Sequence, residues 1–134
     1  MTKIKAELYI ESNGECSICG RKITPDEATV DHIYPKSKGG RNKKGNLRIT
    51  CAMCNIIKSS RVGTEKLAMI KNALNSGKRI GHKKYIILDA IKLGEINKSD
   101  VLETLEQTKK YLDEYRESII NDIDFIIESA EIQG

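Results

Sequence analysis

The chain has 134 residues, 39% hydrophobic and 31% charged, with one Phe, five Tyr and no Trp. That is the size of one ordinary domain burying roughly two thirds of its unfolded surface, over a core that must rest on Ile, Leu and Val. No apolar run approaches the ~18 residues of a membrane span, and no secretory pattern opens the sequence, so a cytoplasmic protein without membrane association is expected.

The net charge of +4 is unevenly spread. Residues 1–61 carry 12 Lys/Arg against 6 Asp/Glu, residues 62–94 carry 7 against 2, and residues 95–134 carry 4 against 11. A basic first part suits a polyanionic partner, and the acidic last part should stay off it.

In chain order, residues 3–11 predict a short helix stopped by Asn13-Gly14. Cys16-Ser17-Ile18-Cys19-Gly20 reads as a metal knuckle, with Gly20 permitting the tight turn. Thr24 to Glu27 is a turn. Thr29 to Tyr34 is β-rich, and Pro35 limits its extension because proline lacks a ladder donor. Lys36 to Gly45 is a basic, glycine-containing loop. Asn46 to Thr50 predicts the returning strand, and Cys51 onward a helix through Lys58. The remainder is helical in pattern: 65–75 capped by Thr64, about 84–93 stopped by Gly94, and a long helix from a Ser99 cap. Its apolar positions Val101, Leu105, Leu112, Tyr115 and Ile119 recur at helical spacing and drift on to Ile123, Ile126 and Ala130. Unbroken, residues 99–131 would span about 50 Å, too long for so small a domain. A hairpin within the chain and pairing with a second subunit are both open.

Cys16/Cys19 and Cys51/Cys54 form two C-x2-C pairs separated by 31 residues. Each pair offers two soft thiolates about one turn apart, which suits tetrahedral Zn²⁺. In a reducing compartment this favours metal over the alternative of two disulfides. Between the pairs stands Val30-Asp31-His32-Ile33, and Asn55 follows the last cysteine.

The order C-x2-C, V-D-H-I-x-P, K-G-G, N-L, C-x2-C-N-x2-K, running from Cys16 to Lys58, resembles the HNH endonuclease family. The resemblance implies an α+β fold: a zinc-stapled ββα-metal unit (residues 1–62) followed by an α-helical C-terminal extension (63–134). It implies the motif positions His32, Asn46 and Asn55, the last departing from the eponymous histidine. It further implies that Asn46 holds the loop rather than binds metal, and that cleavage leaves a 3′-hydroxyl and a 5′-phosphate.

The residues support a chemistry beside that resemblance. Phosphodiester hydrolysis needs an activated water and compensation of developing charge. Imidazole exchanges a proton near neutral pH, so His32 is the candidate general base. Asp31 offers a carboxylate and Asn55 an amide oxygen to one Mg²⁺ or Mn²⁺ ion, hard cations that prefer such donors. The blander roles are a zinc-bound or buried His32, a merely orienting Asp31, a helix-capping Asn55 and a turn-forming Asn46. Neighbours in a ladder face opposite ways, so Asp31 and His32 converge only at an irregular strand end or a sheet edge. Lys36, Lys38, Arg41, Lys43, Lys44, Arg48, Lys58 and Arg61 are expected to bind backbone phosphates. His82, in a basic stretch, is expected to be solvated and non-catalytic.

The expected function is metal-dependent endonucleolytic cleavage of DNA, with structural Zn²⁺ on Cys16, Cys19, Cys51 and Cys54. The C-terminal helix would offer a homodimer or protein interface. The rival expectations are a non-catalytic zinc module binding nucleic acid or protein, and an RNA-cleaving nuclease.

Overall fold

In the computed structural model, residues 2–112 and 116–133 are described. The chain divides into two compact units, Met1–Arg61 and Val62–Gly134.

The first unit opens with helix α1 (Lys3–Glu11), whose start is capped by Thr2: its hydroxyl accepts from the Lys5 N–H at 3.3 Å. The helix stops where Asn13 and Gly14 adopt positive φ. Strands β1 (Ala28–His32) and β2 (Leu47–Cys51) form one antiparallel pair, in the register Ala28↔Cys51 to His32↔Leu47. Ala28, Leu47, Ile49 and Cys51 are buried. Helix α2 (Ala52–Lys58) follows β2 without a loop and packs on both strands, completing a ββα arrangement. With the helices of the second unit this makes an α+β protein.

Two boundaries differ from expectation. β1 ends at His32 rather than Tyr34, because the backbone bends at Ile33 and Tyr34. Asn46 closes a 3-10 turn (Lys44–Asn46) just before β2 instead of starting the strand.

The connecting loop depends on its glycine pair. Gly39 sits at φ +97° after a 3-10 turn, Lys36–Lys38. A Cβ on Gly40 would lie 1.9 Å from the Tyr34 carbonyl oxygen. Any side chain there forces the loop off the strand end.

The second unit contains α3 (Gly63–Asn75), α4 (Lys83–Lys92), α5 (Lys98–Lys109) and α6 (Glu117–Ile132). The unbroken helix over 99–131 does not form, and of the two arrangements left open the hairpin within the chain is the one adopted. Helix α5 ends at Lys109, and α6 packs against both α4 and α5. The apolar stripe closes on itself: Val101, Leu105, Ile119, Ile123, Ile126 and Ala130 share one buried cluster with Ile70 and Ile87. Of the expected stripe, Tyr115 lies outside the described residues.

The expected caps also shift. α3 starts at Gly63 after Val62, whose N–H donates to Glu65 Oε1 at 3.3 Å, so Thr64 lies inside the helix. α5 is capped by Asn97, whose side chain accepts from the Asp100 N–H at 3.2 Å, not by Ser99. An amide three residues before a backbone donor satisfies it as well as a hydroxyl does. The basic stretch before α4 is likewise more structured than expected. Arg79 and the Gly81 N–H both reach the buried Asp122 carboxylate, and His82 meets the Tyr85 ring edge-on with 5.0 Å between centroids.

Candidate functional site

The four cysteines converge at the junction of the N-terminal knuckle, β2 and α2. Their sulfurs all lie within 4.8 Å of one another, and Cys19 and Cys51 are 3.9 Å apart. A disulfide would need about 2.05 Å, whereas a tetrahedron of 2.3 Å Zn–S bonds places sulfurs about 3.8 Å apart. The cluster therefore fits zinc. Backbone donors already point at it: the Ile18 and Cys19 N–H groups to Cys16 Sγ at 3.4 and 3.5 Å, and the Cys54 N–H to Cys51 Sγ at 3.4 Å. The knuckle is tied to β2 by the Ser17 N–H, 2.9 Å from the Ile49 carbonyl oxygen.

Four sulfurs this close cannot all hold negative charge without a cation. A hydrogen bond from Cys54 helps bring the Cys16 thiol down to about 4, while its counterpart and burial push Cys54 well up. Burial also raises Cys19. Arg21 is raised chiefly by its hydrogen bond to Cys51, placing a guanidinium at the thiolates.

Next to this knot lies an open cleft of about 280 Å³, bordered by Asp31, His32, Lys36, Asn55 and Lys58 among others. Three expected site residues thus meet in one place. The ladder problem is solved by position: His32 is the last residue of β1, and the bend beyond it lets both neighbours border the cleft.

Each side chain is held differently. His32 Nε2 lies 2.5 Å from Asn42 Oδ1. An amide oxygen only accepts, so this pairing puts the imidazole proton on Nε2 and the basic lone pair on Nδ1. Asn46 does not border the cleft. Its Oδ1 accepts from the Tyr34 N–H at 2.8 Å, while its Nδ2 donates to the Tyr34 and Arg41 carbonyls at 3.1 and 2.9 Å. One side chain thereby staples both ends of the loop beside His32. Asn55 is the fourth residue of α2, and the capping role falls to Cys51 instead. Asn55 itself borders the cleft.

Asp31 is 3% exposed and already paired. Arg48 Nε lies 3.0 Å from its Oδ2, and Lys58 Nζ lies 3.0 Å from its Oδ1. Lys58, 1% exposed, also donates to the His32 carbonyl at 2.8 Å. Arg48 and Lys58 are therefore turned inward as ion-pair partners of Asp31, not exposed loop cations as expected. Lys44 is also engaged, 2.6 Å from Glu11 and 3.5 Å from Glu7. Lys36, Arg41 and Lys43 remain as exposed cations on the loop.

Sequence reasoning missed the Asn42 contact and the inward turn of Arg48 and Lys58. Arg48 stands directly opposite Asp31 in the register, and Lys58 is three residues after Asn55 on the same helical face. Both were legible once the hairpin was aligned. Nothing in the spacing marks Asn42.

Residues 16–61 match the HNH endonuclease family model. This HNH segment is about a third of the chain, and it contains both cysteine pairs and every residue of the cleft. No curated protein and no solved structure matches the chain. The match supports nuclease or nucleic-acid-related activity in general terms. Among the described residues, no helix is long and apolar enough to cross a membrane.

Proposed function

We propose that the HNH segment is a metal-dependent endonuclease centre that hydrolyses phosphodiester bonds of DNA, one strand per cleft. The supporting observation is the convergence of Asp31, His32 and Asn55 on one open cleft beside a four-cysteine knot. One carboxylate and one amide form a hard donor set suited to Mg²⁺ or Mn²⁺, with remaining ligands from water and substrate phosphate. An ion held by Asp31 and Asn55 would neutralise charge on the phosphate and the departing oxygen.

The chain's own groups carry the rest. His32, with its proton on Nε2 toward Asn42, takes a proton from water at Nδ1. The hydroxide forms a new bond to phosphorus as the bond to the 3′-oxygen breaks. That oxygen leaves as a 3′-hydroxyl after protonation from solvent, and the 5′-phosphate stays on the other fragment. Lys36, Arg41 and Lys43 steer the backbone without reading bases.

Plasmid nicking by the purified chain with Mg²⁺ or Mn²⁺, abolished in His32→Ala at unchanged zinc content, is the expected result. Cleavage that persists in His32→Ala removes the assigned base. Comparing duplex DNA, single strands and structured RNA sets the substrate class. A second reading, a non-catalytic zinc module that binds nucleic acid, draws on one observation: Asp31 spends both oxygens on Arg48 and Lys58. No cleavage by the wild-type chain favours it. The case for dimerisation through the C-terminal helix weakens, because its apolar stripe is buried within the second unit.

A further inference from the structure

The Asp31 ion pairs bear on how a metal reaches the cleft. Asp31 is its sole carboxylate among the described lining residues, and that charge faces Lys58 within the cleft and Arg48 behind it. Lys36 borders the same space. One negative group thus stands against three positive ones, for a local charge of +2 before His32 is counted. Asn55 adds no charge. A bare divalent ion approaching Asp31 meets net repulsion, and both carboxylate oxygens are already accepting.

Lys58 cannot simply swing away. Its ammonium is buried and bonded to both Asp31 and the His32 carbonyl, so releasing Asp31 strands a buried charge unless another anion arrives. A phosphodiester is such an anion. It offers Lys58 and Lys36 a new partner and gives the ion the oxygen ligands that the protein lacks.

We infer that the cleft takes up its divalent ion and a backbone phosphate as a coupled pair, with Lys58 occupying the metal's carboxylate until the phosphate arrives. The inference rests on the nuclease reading and specifies how that site is loaded. By linkage, DNA must tighten the ion as much as the ion tightens DNA.

The test is Mn²⁺ binding followed by electron paramagnetic resonance on the zinc-loaded full chain. His32→Ala is used to prevent turnover, with and without a short DNA duplex, and Mn²⁺ bound by duplex alone is subtracted. The expected result is an affinity at least tenfold higher with duplex, a gain that disappears in Asp31→Asn. Lys58→Met should bind bare Mn²⁺ at least tenfold more tightly than its parent and lose most of the coupling. Arg48→Gln should shift the same way, which keeps the test usable if Lys58→Met fails to fold, as judged by circular dichroism and zinc content. Equal affinity with and without duplex, or unchanged bare-ion affinity in the folded variants, overturns the inference. If wild-type chain with such uncoupled binding still nicks plasmid, the nuclease reading survives. If Mn²⁺ never binds at Asp31 and nothing is cleaved, both fall.

Discussion

Asn42 shows how little a single loop residue must do to matter. Its amide oxygen meets the imidazole of His32 at 2.5 Å, which selects the tautomer and aims the ring. Asn42→Ala should lower kcat by about tenfold or more, short of the ~10²–10⁴ lost with a general base. DNA affinity and zinc content should stay near wild type. Asn42→Asp should restore turnover and move the acid limb of the pH–rate profile upward, because a carboxylate stabilises imidazolium; an unchanged profile would make the contact merely structural. Gly40 is a steric case. A methyl group at 1.9 Å from the Tyr34 oxygen meets backbone that cannot rotate away. Gly40→Ala should therefore destabilise the first unit by about 1–3 kcal/mol, read as a lower melting temperature, and reduce cleavage because the loop carrying Asn42 and Asn46 is displaced.

At the level of elements, legibility followed locality. The ββα order was readable because Asn13-Gly14, Pro35 and the cysteine pairs punctuate the chain at short range. The four-cysteine cluster was readable for the same reason, since spacing alone puts two sulfurs on one turn. The break between α5 and α6 was not. The stripe through Val101, Leu105, Ile119 and Ile123 keeps helical period across the break, so periodicity alone could not separate one long helix from two that pack together. Lys58 was misread because a lysine in a basic sequence looks like surface, and only tertiary contact with Asp31 buries it. The second unit has its own buried acid. Burial acts to raise the Asp122 carboxyl, yet hydrogen bonds from Arg79 and the Gly81 N–H, with the charge of Lys84, hold it below the usual carboxylate range. A depressed folded-state value means stability that is full above the ordinary carboxyl range and lost as pH falls through the folded value. Thermal melts of Asp122→Asn should show a loss of about 1–2 kcal/mol at neutral pH, discounted for the exposure of Arg79. The gap from wild type should close at strongly acidic pH.

For the whole molecule, the division into two units separates metal dependence from most of the helical content. Zinc on the four cysteines would hold the first unit, where the apparent binding free energy of such a site is on the order of 10 kcal/mol. Among the described residues, four of the six α-helices lie in the second unit, over their own apolar core. A strong chelator, or Cys54→Ser, should therefore abolish cleavage and loosen residues 1–61 while most of the helical circular dichroism signal survives. Complete loss of that signal would mean that the units fold together. Acid should reproduce the effect of chelation. With Cys19 and Cys54 raised and Cys16 lowered to about 4, the metal-free cluster between pH 5 and 8 holds protons on at least two sulfurs. Zinc must displace them, so its affinity should fall at least about a hundredfold for each pH unit lost. Competition against a chromophoric chelator at pH 6 and pH 7 measures this slope. A slope near zero would show that the sulfurs are not the ligands.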